Sequence, residues 1–269
     1  MPPYPALFVC HGGGPLPLMG DDGHQQLVAA LKRHKEQLVR QFGLPKAIGL
    51  ISAHYETEAP RVGGAAHPAL LYDYYGFPTE AYRLQYSAPG YPALANAIVD
   101  ALKRDGFEAA VDPHRPFDHG VFVPLMLMFP KADIPVVPIS VLRSGSAAEH
   151  IRMGQALRSL RFNGLLLIGS GSSMHHFGNM WKKNAGKTFG DSLSSVLCGT
   201  NRSLTNDERL AEMSRVKEME GFDEAQPRDA LEHLMPLLTI VGASGGTAAT
   251  EVANIYVGNV NNRNYLFHE

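Results

Sequence analysis

An α/β fold, a single-domain three-layer αβα sandwich with a mainly parallel (mixed) central sheet, is predicted by three observations. Short apolar runs alternate along the chain with longer amphipathic stretches. Several short runs, among them Ile134-Pro135-Val136-Val137-Pro138-Ile139 and Leu165-Leu166-Leu167-Ile168, are apolar almost without interruption, as suits parallel strands covered on both faces. No Pro/Ser-rich linker, charge block or internal repeat divides the 269 residues, so one domain over 1–269 is expected.

In chain order, the opening segment Met1-Pro2-Pro3-Tyr4-Pro5 runs straight into a strand at 5–10. A helix is expected over 22–41, a strand over 47–53, a helix over 90–105 and a strand over 107–111. Residues 119–129 read as a short apolar helix, 134–141 as a strand, 147–161 as a helix and 164–169 as a strand. Helices follow near 187–198, 206–219 and 228–241, where apolar positions recur at helical spacing. Val252, Ile255, Tyr256 and Val257 mark a last strand over 251–258, at an edge of the sheet.

Composition narrows the function classes. The charge is nearly balanced, 24 basic against 26 acidic residues, and no basic cluster occurs beyond Trp181-Lys182-Lys183, which reads as solvated loop. Neither nucleic acid nor an anionic membrane is therefore an expected partner. The start of the chain lacks the basic head and long apolar core of a signal peptide, and no apolar run approaches the ~18 residues of a membrane span, so a cytoplasmic protein is expected. The two cysteines, Cys10 and Cys198, lack CxxC spacing, and Cys10 reads as a small buried strand-end residue.

Three of the predicted strands deliver a histidine near their ends: Phe8-Val9-Cys10 leads to His11, 49–53 to His54, and 165–169 to the loop bearing His175. Ligands of open α/β sheets bind outside the carboxyl ends of the strands, so histidines placed there from distant parts of the chain point to a metal site. Of the twelve histidines, His24, His34, His150 and His268 sit in polar contexts and read as exposed. His67 and His114 adjoin prolines in loop-like sequence, which leaves His11, His54, His119, His175, His176 and His233 as the set of interest.

The glycines of His11-Gly12-Gly13-Gly14-Pro15 fit neither GxGxxG nor GxxxxGK[ST], so a nucleotide site is not indicated. Without Cβ atoms, Gly12 and Gly13 let the main chain turn sharply and bring N–H groups near a ligand beside His11. The Gly169-Ser170-Gly171-Ser172-Ser173 turn is not a GxSxG nucleophile elbow.

Five segments occur together in a specific order: His11-Gly12-Gly13-Gly14-Pro15, Ser52-Ala53-His54-Tyr55-Glu56, Tyr72-Asp73-Tyr74-Tyr75-Gly76-Phe77-Pro78, Phe117-Asp118-His119-Gly120-Val121-Phe122-Val123-Pro124-Leu125 and Gly169-Ser170-Gly171-Ser172. The set resembles the DODA-type extradiol aromatic ring-opening dioxygenases, the 4,5-DOPA dioxygenase-like branch of the class III, LigB-like enzymes. The resemblance implies a non-haem Fe(II), with Zn(II) a candidate in purified protein, held by His11, His54 and a residue of a late helix. His233 is the expected third ligand and the adjacent Glu232 the alternative, because neighbouring helical positions diverge by ~100° and only one can readily face the metal. Relatives carry a His-Pro step upstream, where this chain has Gln226-Pro227.

The resemblance further implies that His175 is the acid/base residue, in a loop that usually reads Ser-x-x-His-Asn; here His176 stands in the asparagine position. On tetrahedral zinc, His175 is also a candidate fourth metal ligand. His119 is expected to touch the substrate or support a ligand, with a helix-start role as the alternative. Tyr74, Tyr75 and Phe77 are candidates to line an aromatic pocket, against an alternative as core.

These residue types suit the implied chemistry. Imidazoles and a carboxylate leave Fe(II) open positions for both oxygens of a catechol and for O2. A histidine of ordinary pKa near 6.5 suits removal of a hydroxyl proton and its later return. The expected partners are thus a small aromatic diol and O2, with a symmetric homo-oligomer the base-rate expectation. A zinc hydrolase working through metal-activated water, and a non-catalytic Memo-like binding protein on a related fold, are the competing readings.

Overall fold

Alternate residues of a strand leave a sheet on opposite faces, and in the computed structural model, which describes residues 2–200 and 203–269, this alternation separates two apolar cores. Met1 of the opening segment lies outside the described residues. Strand β1 (Ala6–Cys10) sends Ala6 and Phe8 to one core and Leu7 and Val9 to the other. The later strand that pairs with it, Leu165–Gly171, divides Leu165 and Leu167 from Leu166 and Ile168 in the same way.

Between them lie α1 (Gln25–Phe42), β2 (Ala47–Thr57), β3 (Arg61–Gly63), α2 (Pro92–Arg104), β4 (Ala110–Asp112), α3 (His119–Met128), β5 (Val136–Leu142) and α4 (Ala147–Leu157). Leu165–Gly171 is β6; α5 (Lys187–Cys198), α6 (Asn206–Ser214), the short α7 (Phe222–Ala225), α8 (Met235–Ala243), β7 (Ala249–Val257) and β8 (Val260–Phe267) follow. The sheet order is β4-β3-β5-β2-β6-β1-β8-β7. Pairs β1–β6, β2–β5, β2–β6 and β3–β4 are parallel, while β3–β5, β1–β8 and β7–β8 are antiparallel. Helices α1 and α3 cover one face; α2, α4, α5, α6 and α8 cover the other. The sheet is mixed and mainly parallel between two helical layers, as the apolar strands imply.

Boundaries differ where local chemistry intervenes. Asp22–His24 is a 3-10 turn ahead of α1, and the expected helix over 147–161 passes into 3-10 turns at Arg158. Likewise α6 stops at Ser214, short of 219. The expected helix over 228–241 begins only at Met235, because residues 228–234 form turns between Pro227 and Pro236, the latter in the first helical turn where its missing N–H costs nothing. The expected edge strand is β7, but an unpredicted inner strand, β8, separates it from β1. Among the described residues no helix is long and apolar enough to cross a membrane.

Three histidines read as exposed are buried. His24, His34 and His150 are 5%, 3% and 0% accessible. His150 Nε2 accepts the Leu142 N–H at 2.9 Å while Nδ1 faces the Ser146 carbonyl at 2.7 Å, and His34 Nε2 meets the Asn264 amide at 2.9 Å. Burial, with Arg33 adding to it at His34, pushes both imidazoles down to about 4. A histidine depressed in the folded state contributes its full stability above the unfolded value of ~6.5 and loses it as pH falls towards 4, about 3 kcal/mol for each ring. The urea midpoint of chelator-treated protein is therefore expected to fall steeply from pH 6.5 to 4.5. An unchanged midpoint across that interval contradicts neutral buried rings.

Candidate metal centre

At the carboxyl end of β1 the chain turns through Gly12, whose φ of +85° an L side chain rarely adopts, and places His11 at the floor of a cavity. His11 Nδ1 lies 3.0 Å from Ser170 Oγ, and that hydroxyl donates its own proton to the Gly120 carbonyl at 2.5 Å. Ser170 must then accept from His11, which fixes the proton on Nδ1 and leaves the Nε2 lone pair facing the cavity.

His54 arrives by a bulge rather than at a strand end. Ser52 pairs with Ser140 and Glu56 with the next residue, Val141, so 53–55 loop out of register and carry His54 over the sheet. Ser52 Oγ donates to Asp118 at 2.6 Å and accepts the His54 N–H at 3.2 Å. Arg115 holds the other Asp118 oxygen at 2.6 Å and the His54 carbonyl at 3.2 Å. Burial pushes the Asp118 carboxyl up and Arg115 opposes it. His54 Nε2 ends 3.1 Å from His11 Nε2.

His233 stands in the turn before α8, not on a helix, and this changes its relation to Glu232. The Glu232 carboxylate binds His233 Nδ1 at 2.8 Å, so the two neighbours act together and Nε2 of His233 is left for the cavity. The His233 carbonyl accepts the Ser172 N–H at 2.9 Å, and a Cβ on Gly171 would lie 2.1 Å from that oxygen. Only glycine lets β6 approach this turn so closely.

His11, His54 and His233 thereby bring one ring nitrogen each to within 4.8 Å of one another. Burial, reinforced by the neighbouring imidazoles, holds His11 and His233 well below the usual histidine range and His54 at about 3. Three neutral imidazoles with convergent ring nitrogens, two of them with the tautomer fixed from behind, suit a cation, so the donor set fits a metal such as zinc or non-haem iron. Ser170→Ala is expected to weaken metal binding by roughly ten- to a hundredfold, since His11 loses its tautomer-fixing acceptor. Competition with a calibrated chelator measures this, and an unchanged affinity would remove Ser170 from the account.

Around the three lie the remaining candidates. The His175 ring stacks on His233 with centroids 3.4 Å apart and planes 17° from parallel, and its Nδ1 is 3.6 Å from Glu232. Burial lowers His175 to about 4, while Glu232 pulls it upward. His176 does not line the cavity, and its buried Nδ1 has no hydrogen-bond partner among the described residues. His119, at the start of α3 behind the N-cap Asp118, packs its ring 3.9 Å from that of His54.

Sequence reasoning missed Asp73 as a site residue. One of its oxygens accepts both the His119 backbone N–H at 3.0 Å and His119 Nδ1 at 2.9 Å; the other lies 3.7 Å from His54 Nδ1. Burial pulls its carboxyl upward, but the bonds from His119 outweigh it and hold Asp73 below the usual carboxylate range. The available signal was a lone acid among the aromatics of Tyr72-Asp73-Tyr74-Tyr75.

His24 was missed as well: its Nε2 accepts the Gly13 N–H at 3.0 Å and its Nδ1 bonds Asp21 at 2.7 Å. The Gly13 amide, expected to face a ligand, is thus engaged by His24, although Gly12 and Gly13 both line the cavity. Cys10 is a buried thiol, pushed up to about 11 by burial. The cavity holds about 560 Å³, and Tyr74, Tyr75 and Phe77 contribute to its wall; the Tyr74 hydroxyl donates to the Ala81 carbonyl at 2.6 Å, and Tyr75 is exposed at the mouth.

A family model described as the catalytic LigB subunit of aromatic ring-opening dioxygenase matches residues 5–267. "Dioxygenase tasH" of Hapsidospora irregularis is 40% identical over 89% of this chain and 78% of its own length. A "4,5-DOPA dioxygenase extradiol" of Beta vulgaris is 35% identical over 91% and 89%. The crystal structure of an uncharacterized protein from Escherichia coli K12 superposes with a TM-score of 0.75 at 28% identity, covering 98% of this chain and 99% of the other.

Proposed function

Because the chain belongs to the LigB family of aromatic ring-opening dioxygenases and is by that membership an extradiol ring-cleaving enzyme, we propose that its substrate is a catechol-type diol, cleaved with O2 to a ring-opened semialdehyde acid. The observation that carries this reading is the set His11, His54 and His233, converging beside a fourth imidazole, His175, at the floor of an apolar-walled cavity. The stoichiometry needs no further reductant. The ring bond beside the diol breaks, one flanking carbon becomes a carboxylate, the other an aldehyde, and both oxygen atoms enter the product.

In this reading the three histidines hold a non-haem metal, with Fe(II) the working ion and Zn(II) an inert substitute. When bound, the metal supplies the meeting point for diol and O2. His175, neutral at pH 7, takes a hydroxyl proton and returns it as the ring opens; the Glu232 carboxylate beside it stabilises the imidazolium in between. Asp73 fixes the His119 ring beside that of His54 in the cavity wall, where it would contact the substrate. The LigB-matched chain acts as one catalytic domain on small aromatic diols in the cytoplasm.

The test is oxygen uptake by protein reconstituted anaerobically with Fe(II) and offered a panel of catechols, with near-visible absorbance of the product recorded in parallel. Equal consumption of O2 and catechol supports the reading. Ester or amide hydrolysis that proceeds without O2, with no uptake on any catechol, replaces it with the metal-hydrolase alternative.

A further inference from the structure

Beyond the histidine floor the wall of the cavity is mostly apolar, formed by Tyr74, Phe77, Met174, Phe177, Met180 and Val257, with Ser172 and Asn262, which hydrogen-bond each other, and His24 as its uncharged polar members. Among the described residues no lysine or arginine lines it. The one carboxylate facing it, Asp73, lies at the floor and is already bonded to His119. Lys182 and Lys183 follow Met180 by two and three positions but take no part in the wall. Apart from a metal on the histidines, which the diol itself would cover, an anionic substituent entering here would lose its hydration and meet no lysine or arginine, with Asp73 the carboxylate facing the cavity.

The rim gives an independent indication. Tyr75 and Phe177 line the cavity yet are 92% and 72% exposed, and Phe177 meets His175 edge-on at 4.7 Å. Trp181, next to Met180, is 74% exposed while its indole N–H is tied to the Gly178 carbonyl at 2.7 Å. Large apolar rings held in water beside a cavity mark a surface that a ligand covers. With about 560 Å³ available, the cavity has the capacity of a ligand several times larger than one catechol ring.

We propose, resting on the dioxygenase reading above, that this pocket selects catechols bearing a bulky, uncharged, apolar ring substituent over catechols bearing a carboxylate. The diol sits on the histidines, and the substituent runs along Met174 and Met180 to the rim at Tyr75 and Phe177. Flexible thioethers suit such a wall because they repack around varied apolar shapes.

The test uses zinc-loaded protein under nitrogen, in which binding is read without turnover. Calorimetric titration with 4-tert-butylcatechol and 4-phenylcatechol is compared with 3-(3,4-dihydroxyphenyl)propanoate, and oxygen uptake by Fe(II) protein is measured on the same three. The neutral pair is expected to bind about tenfold or more tightly. Met180→Lys is expected to reverse the order by supplying a cation.

Equal or tighter binding of the propanoate by the unsubstituted protein overturns the proposal even if all three consume oxygen. Failure of all three to bind overturns it too. Tight binding of the neutral pair with no oxygen uptake sustains the pocket preference and removes the dioxygenase reading.

Discussion

His233→Ala is expected to abolish stoichiometric metal binding and with it all oxygen uptake, a loss beyond the ~10–100-fold that removal of a supporting partner costs. The residue contributes one of three convergent nitrogens, and its ring is oriented from behind by Glu232 at 2.8 Å. Its carbonyl, which carries the Ser172 N–H, survives the substitution, so the turn before α8 keeps its backbone bond. Glu232→Gln separates the two neighbours. If Glu232 orients rather than ligates, the glutamine variant retains one metal per chain at affinity lower by roughly ten- to a hundredfold. Full occupancy in His233→Ala together with none in Glu232→Gln would transfer the ligand role to the carboxylate. Metal analysis after gel filtration, with a thermal melt to confirm folding, reads both outcomes.

The same pair shows how far the sequence could be read. Reasoning that adjacent helical residues diverge by ~100° made His233 and Glu232 rivals, but Pro227 and Pro236 confine them to turns, where they cooperate. The central strands were legible because parallel strands buried on both faces are continuously apolar. By contrast β8 was not, since its Val260-Asn261-Asn262-Arg263-Asn264 reads as loop. Its polar groups are buried only because each finds a partner: Arg263 reaches Glu251 at 2.8 Å and Asp191 at 2.5 Å, and Asn262 accepts from Ser172 at 2.7 Å.

Of the site, the histidines were visible from their places after apolar runs. Their supports, Asp73, His24 and Ser170, were not, because a hydrogen bond between residues such as Asp73 and His119, 46 positions apart, leaves no local pattern. For the same reason His24, His34 and His150 read as surface residues: polar neighbours in sequence say nothing of the partner that lets an imidazole be buried.

His175→Ala is expected to lower kcat by roughly 10²- to 10⁴-fold, the usual contribution of a placed acid/base, while metal stoichiometry is retained. The expectation rests on where the two adjacent histidines of this loop lie. His175 is anchored through its backbone N–H to the Ala225 carbonyl at 2.7 Å, stacks on His233 and lines the cavity within reach of anything bound there. Burial keeps it neutral at pH 7 and so able to accept a proton, and Glu232 offers the charge that an imidazolium requires. His176 lies outside the cavity wall, so His176→Ala should leave kcat within about threefold of the parent. Were zinc held by His175 as a fourth ligand, the alanine variant would also bind zinc more weakly while binding Fe(II) as before, a difference that metal competition resolves from the kinetic loss. A kcat that falls in His176→Ala and holds in His175→Ala would move the proton chemistry one residue along the loop.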